Sequence, residues 1–446
     1  MKEASKDKVK KKKRFKILRF VGKSLLVLLI VCISLVLFVR SPWGQNIIVN
    51  KVTSYISDKT NTRVDIERFF LTFDGNLMLE GLYLEDLKGD TLVYSKSLEA
   101  GVAIWPLIKG DGIGISSLDW EGVRATVSRK DTTQGFNFQF LIDALAAPTE
   151  ESVTNEPAPI PEITLGDLSF KDFDIDYVDD VTGIDSKFVI GSMLLEVDTF
   201  DLEEMAFNVS KTVLKDARIN YHQSPIPPSD EEVPLPKLVL DEITLQNVVA
   251  DYTDVAMGLE ATLDIDSLFT EIPLIDLQTN TIDITTVELA NSEIGINMNS
   301  DVQAATTTNS PQEFEWPAFD IEVGKISLSR NNISYQVGNA VPEKGVFNPN
   351  AIFLNDLSYQ GTNLYLKDTS AGTDIKTLRF NEASGIQLKN FTTRFEITDR
   401  RLIAEDIALA LNNNSLQGRF QLDYNSLSSF INAPESGTIA LNFPTF

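Results

Sequence analysis

A break in parity constrains this chain more than any other feature. In LSFKDFDIDY, Leu168 to Tyr177, apolar residues alternate at Leu168 and Phe170, slip across Lys171-Asp172, and alternate again at Phe173, Ile175 and Tyr177. Period-two alternation marks a strand with one buried face. The pattern fits Ile243-Leu245 before Val248-Ala250-Tyr252, and Ile326-Leu328 before Ile333 and Tyr335, with Asn331 as a polar exception. Looser copies run through 77–84, 118–127, 212–221, 287–296, 357–366, 386–395 and 402–411. The second residue of the polar pair is Gly81, Gly122, Asp172, Asp216, Asn247, Asn291, Arg330, Gly361, Asn390 or Asp406, mostly types that tolerate positive φ. A two-residue hairpin turn between short strands accommodates the slip, and so does a one-residue bulge inside a long strand. Either keeps the apolar set on one face.

Three Pro-rich acidic stretches, 148–161, 224–236 and 306–317, precede the three clear copies and read as linkers. Tyr177, Tyr252 and Tyr335 are therefore spaced 75 and 83 residues apart, which predicts an array of supersecondary repeats over 162–446. Helical periodicity almost vanishes after residue 150, so a many-stranded sheet has few helices to cover its apolar face. Three solutions remain open: a second sheet packed on the first, closure into barrels, or a trough whose apolar wall faces a ligand. About 25 to 30 strands are expected, and at ~4.8 Å each they give ~120 to 145 Å.

Ahead of the array, residues 20–40 read as a membrane span: about 20 apolar residues carrying Phe20, Leu25, Leu28, Leu35 and Phe38, with Lys23 near the edge and Trp43 at interface depth. The competing reading, a cleaved signal peptide, lacks a small-x-small site, since Phe38-Val39-Arg40-Ser41-Pro42 is bulky or charged. Residues 1–19 form a basic tail, and the eleven Lys/Arg of residues 1–23 place the N-terminus in the cytoplasm. Residues 41–147 read as an α+β unit: a short amphipathic helix after Trp43, four strands, and a second helix over Phe136 to Leu145.

Within that unit SDKTNTRVDI, LEGLYLED and KGDTLVYSKSLEAGV resemble the N-terminal region of the AsmA-like superfamily, most closely its TamB type from the translocation and assembly module of Bacteroidetes. The resemblance covers residues 20–145 well and the later repeats loosely. It implies a mainly β fold: a single N-terminal transmembrane helix, a small α+β unit, and an elongated curved sheet, a β-taco, with an apolar concave face. It implies an inner-membrane protein with its bulk in the periplasm, serving lipid transport between inner and outer membranes. Leu168, Phe170, Phe173, Ile175, Tyr177, Ile243, Leu245, Val248, Tyr252, Ile326, Leu328, Ile333 and Tyr335 are the corresponding groove candidates, with phospholipid as the expected partner. The alternative it implies is a scaffold for protein secretion and outer membrane biogenesis, acting with a TamA- or BamA-like barrel. The chain stops at Phe446 inside strand-like sequence, so truncation of the C-terminal region of such proteins is expected.

The net charge of 39 − 64 = −25, with no basic stripe beyond the N-terminal tip, argues against nucleic acid. One cysteine, Cys32, leaves neither an intramolecular disulfide nor a cysteine-based metal site. The single histidine, His222, reads as a linker residue, which removes Ser-His-Asp chemistry. The nearest approach to a calcium loop is FDIDYVDDVTG, but Asp172, Asp174 and Asp176 alternate on one strand instead of wrapping an ion. No enzyme activity, metal or cofactor is expected.

Overall fold

The computed structural model describes residues 41–72, 74–103, 113–145, 163–201, 205–226, 237–299 and 314–445, with a few helical positions between 26 and 38. The linker at 148–161 and most of 224–236 and 306–317 lie outside these residues, as do Phe20, Leu25, Leu28 and Leu35 of the expected anchor. Among the described residues no helix is long and apolar enough to cross a membrane.

The described chain begins with helix α1 (Pro42–Thr60). Ser41 caps it, its Oγ accepting from Gly44 N at 3.0 Å, and Pro42 sits where its missing N–H costs nothing. Four strands follow, β1 (Val64–Leu71), β2 (Leu77–Glu85), β3 (Thr91–Ala103) and β4 (Ile113–Arg129), then helix α2 (Gln139–Leu145). Next come β5 (Ile163–Asp179), β6 (Ile184–Asp201), β7 (Ala206–Gln223), β8 (Lys237–Asp254), β9 (Leu259–Asp276), β10 (Thr281–Ala290) and β11 (Glu293–Met298). The chain continues through β12 (Asp320–Val337), β13 (Ala351–Lys367), β14 (Ser370–Glu382), β15 (Gln387–Thr398), β16 (Arg401–Leu411), β17 (Asn414–Asp423), helix α3 (Leu427–Asn432) and β18 (Thr438–Thr445).

All 18 strands belong to one sheet. Chain neighbours pair, except that β10 and β11 lie end to end and both pair with β9 and β12; the pairing is antiparallel except at three joints, β4 with β5, β7 with β8, and β10/β11 with β12. Parallel neighbours require the chain to travel back along a whole strand, and the three Pro-rich stretches occupy those returns. Strands β5–β7 and β8–β11 are thus two antiparallel meanders joined in parallel, which accounts for the 75-residue period. His222 is not a linker residue: it is the penultimate residue of β7, exposed, opposite Asp185.

The slip is neither a hairpin nor, across the first twelve strands, an inserted residue. Lys171 pairs with Ser192 and Phe173 with Ile190, so Asp172 faces Gly191 with register kept on both sides. The same holds at β7/β8 and β8/β9, where Lys215↔Gln246↔Ser267 and Ala217↔Val248↔Ile265 bracket Asp216, Asn247 and Asp266. A left-handed residue breaks the alternation: Lys171 and Asp172 both face outward, and Phe173 returns to the face of Phe170. Gly81, Gly122, Asp172, Asp216, Asn247, Asn291, Arg330 and Asp406 all have φ between 51° and 69°. Gly361 and Asn390 do not; in β13 Asp356 and Asn363 take the role, at φ 53° and 56°. At Gly361 a Cβ would lie 2.2 Å from the Tyr359 hydroxyl, so that glycine serves space and not dihedral freedom. From β13 onward true register shifts occur, as between Ala404 and Ile407.

One long strand therefore carries what two short ones would have. With β10 and β11 sharing a line, the sheet has 17 lines and a length of about 80 Å at ~4.8 Å per line, short of the sequence expectation.

Candidate functional site

The left-handed residues Gly81, Gly122, Asp172, Asp216, Asn247, Asn291 and Arg330 fall on one line across the sheet, through ordinary residues of β3, β6 and β9, and this line is a crease. On the outer side Asp172, Asp216, Asn247, Asn291 and Arg330 are exposed. They bond one another across strands: Asn247 Nδ2 donates to Asp216 at 3.0 Å, Asn291 Nδ2 to Asp266 at 3.1 Å, and Arg330 Nε to Asn291 Oδ1 at 3.0 Å. Arg124 donates to the Asp172 carbonyl at 3.0 Å. On the inner side the next row is buried: Val123 at 2 %, Phe173 at 6 %, Ala217 at 3 %, Val248 at 4 % and Asn331 at 0 % exposure. Side chains from both arms pack onto it, Leu214, Leu245, Leu268 and Leu328 from one and Leu263 and Ile294 from the other. Buried side chains on one side of the crease and exposed ones behind it put the apolar residues of both arms on one face of the sheet.

Leu168, Phe170, Ile243, Leu245, Ile326 and Leu328 stand on one wall, and Ile175, Tyr177, Tyr252, Ile333 and Tyr335 on the other. Phe173 and Val248 lie at the bottom, where Trp120 and Phe170 meet the Phe173 ring edge-on, at 5.6 and 5.3 Å. The rows continue through β6 and β9, where Ile190, Met193, Leu263 and Leu268 fill positions that sequence reading left unassigned because those strands lack the template.

Asn331, the polar exception, has a structural role. Its Oδ1 accepts from Ser292 N at 2.9 Å and its Nδ2 donates to Leu289 O at 3.1 Å. These are backbone groups flanking the break between β10 and β11, and Asn331 supplies each with a partner.

Tyrosines mark the upper edge of one wall. Tyr177 lies opposite Ser186, which lies opposite Tyr221, and Tyr221 opposite Tyr252. The Tyr221 and Tyr252 rings stack at 5.4 Å, 6° from parallel. Their hydroxyls reach polar groups two residues on: Tyr177 to Asp179 at 3.3 Å, Tyr221 to Gln223 at 3.0 Å and Tyr252 to Asp254 at 3.5 Å. Burial, and then the neighbouring aspartates, push the Tyr177 and Tyr252 phenols above their ordinary pKa. An apolar body with a wet tip suits the line where a greasy wall meets water.

Both ends of the trough are covered. Over β1–β3, Ile56 of α1 and Phe138, Phe140 and Leu141 around α2 pack on Val64, Leu84 and Leu92. Over β15–β17, Phe314 and Trp316, from the stretch read as linker, join Phe430 of α3 on Ile397, Leu402, Phe420 and Leu422. Between these ends, from β5 to β12, the described strands pack on their ladder neighbours with no helix laid over them. At the β4/β5 joint, Arg129 donates to the Asp179 carboxylate at 2.8 and 2.5 Å, and its guanidinium lies 4.6 Å over Phe136. That contact, helped by the Thr182 hydroxyl and the Val181 amide, holds Asp179 far below the usual carboxylate range against the opposing effect of burial.

Trp43 is exposed and meets Phe38 edge-on at 5.4 Å, just ahead of α1. No group of three metal-ligating side chains occurs among the described residues. Compared with family models, curated proteins and solved structures, the chain matches none.

Proposed function

We propose that this protein is a non-enzymatic carrier, tethered to the inner membrane by its N-terminus, that shields phospholipid acyl chains in the trough while they cross the periplasm. The observation that carries this reading is an apolar face continuous through β5–β12 over which no described helix is laid. Burying such a face against water-soluble matter gains nothing, whereas each CH₂ of an acyl chain placed on it gains ~0.8 kcal/mol. The tyrosine row supports the same reading, because it ends the wall in hydroxyls where a headgroup would meet solvent. Photo-crosslinkers at Phe173, Ile175 or Leu245 are expected to capture phospholipid in cells. Labelling by protein alone would overturn the proposal.

A second reading, a scaffold that docks a barrel-type partner of the TamA or BamA kind, draws on β18. Among the described residues that strand pairs with β17 alone, and its Ile439 and Leu441 are 60 % and 62 % exposed. An unpaired edge with bare apolar side chains can accept a further strand. Co-purification of an outer-membrane barrel without bound lipid favours this reading over the first.

A further inference from the structure

The strand ends next to the tyrosine row form one continuous rim. Backbone hydrogen bonds lace its turns together: Asp180 N donates to Arg129 O at 2.9 Å, Ser224 N to Gly183 O at 2.7 Å, Val255 N to Gln223 O at 3.0 Å, Asn299 N to Gly258 O at 2.7 Å, Gly338 N to Met298 O at 2.8 Å, and Gly345 N to Ser384 O at 2.7 Å. Five large apolar side chains stand out from this edge, Val255 and Met257 in the β8–β9 turn and Val341, Val346 and Phe347 in the β12–β13 loop, each between 46 and 68 % exposed. Their backbones are fixed: Met257 N donates to Asp254 Oδ1 at 2.9 Å, and the loop is closed by Asn348 Nδ2 on Val341 O at 3.3 Å and Val346 N on Glu343 O at 3.2 Å. Apolar side chains scattered singly over a surface mean little. Here they favour one of two rims. Between the covered ends, the described turns of the opposite rim, 277–280 and 368–369, expose no large apolar side chain, and Phe319 beside them is 36 % exposed.

Charge singles out the same edge. In a chain of net charge −25, residues 255–258 carry no charge and 338–350 carry one of each sign, Glu343 and Lys344. A protein partner would need the apolar side chains gathered into one desolvated centre. They stand instead on separate turns, with backbone polar groups between them. A lipid surface accepts apolar side chains one at a time, and tyrosines set one level behind them suit headgroup depth. Asp180 and Asp254, close behind the tips, would be repelled by an anionic layer. We infer that this rim docks on a zwitterionic lipid surface, its five side chains inserted among the headgroups, so that the apolar face opens along its side onto the layer that supplies its cargo. The supply of cargo rests on the carrier reading; the docking does not.

Single cysteines, Met257→Cys, Val346→Cys and Thr369→Cys, are placed in the full chain carrying Cys32→Ser and labelled with an environment-sensitive fluorophore. The protein is reconstituted into phosphatidylcholine vesicles containing a phospholipid with a nitroxide on its headgroup. Quenching is expected at 257 and 346 and not at 369, on the opposite rim. Phosphatidylglycerol in the vesicles is expected to weaken it, and Val341→Asp/Phe347→Asp to reduce it at 257 to the level seen at 369. Labels at 257 and 346 quenched no more than the label at 369 overturn the docking. A blue shift there without quenching assigns the rim to a second copy of the chain and overturns it too. Quenching is expected to persist in Val248→Asp, which puts a charge on the apolar floor. Its loss in that variant means that the nitroxide lipid was cargo, which overturns the docking and leaves the carrier reading standing. Quenching at the rim of a parent chain that shows no acyl crosslinking at Leu245 defeats the carrier reading alone.

Discussion

Replacing Asn331 by leucine separates two accounts of the crease. The substitution conserves shape and deletes a buried amide, so area counting alone predicts a gain of about 1–2 kcal/mol from removing a polar group from an apolar row. The geometry predicts the opposite. Asn331 is wholly buried and spans Ser292 N and Leu289 O, at 2.9 and 3.1 Å. Leucine leaves a buried donor and a buried acceptor unpaired, at about 1–3 kcal/mol each, for a net loss of roughly 1–4 kcal/mol.

A ladder in which each strand touches only its neighbours unfolds by segments, so one melting temperature is the wrong observable. Hydrogen exchange read on peptides covering 286–298 and 326–337 is the right one. Protection there is expected to fall 10-fold or more in Asn331→Leu, with β5–β7 unaffected. Equal or greater protection at Ser292 would refute the argument that this amide holds the crease where β10 gives way to β11.

The crease residues themselves give a second outcome: Asn247→Val places a β-branched side chain at φ 53° and is expected to cost ~1–2 kcal/mol, whereas Asn247→Gly stays within a few tenths, by local exchange over β7–β9. At the β4/β5 joint the Asp179 pKa lies below its unfolded value. Its stabilisation is therefore complete above about pH 4 and lost as pH falls toward the folded value, so an acid titration of β4–β5 protection should flatten in Asp179→Asn. That variant removes the buried partner of a pair whose Arg129 side chain is 22 % exposed, and is expected to cost ~1–3 kcal/mol at neutral pH. Val248→Asp puts an unpaired carboxylate on the trough floor and should abolish acyl crosslinking at Leu245 while leaving far-ultraviolet dichroism unchanged.

Much of this architecture is legible in residues. Alternation gives the strands, the parity slip gives the crease, and Asp, Asn and Gly at its second position give the sign of φ. What alternation cannot give is which strands share a line. Register is a property of pairs, so the crease as a continuous row, and the parts of β6 and β9 in it, emerge only when partners are known. The hairpin alternative failed for a related reason, since a turn reverses the chain whereas one left-handed residue only re-aims it. Arg330 and Gly361 show the limit of composition: an arginine adopts φ 54° because Asn291 and the ladder hold it, while a glycine in the matching place of β13 does not. Phe314 and Trp316 escaped because proline and threonine around them dominate the local composition.

The crease and the linkers are coupled through chain length. Along β7 from Ala206 to Gln223 the contour is 17 steps, about 56 Å at ~3.3 Å per residue. The return from Gln223 to Lys237, which begins β8 beside Ala206, has 14 steps and spans at most ~50 Å fully extended, or ~43 Å in the polyproline conformation that its prolines favour. A straight β7 could not be followed by a parallel β8 in full register. With arms of ~33 and ~23 Å on either side of Asp216, closing the ends to 43–50 Å requires an angle between them of about 100–125°. Asp216, left-handed at φ 53° near the middle of β7, supplies that bend. The constraint belongs to this joint alone: the returns from Arg129 to Ile163 and from Met298 to Asp320, 34 and 22 steps, are long enough to follow a straight strand.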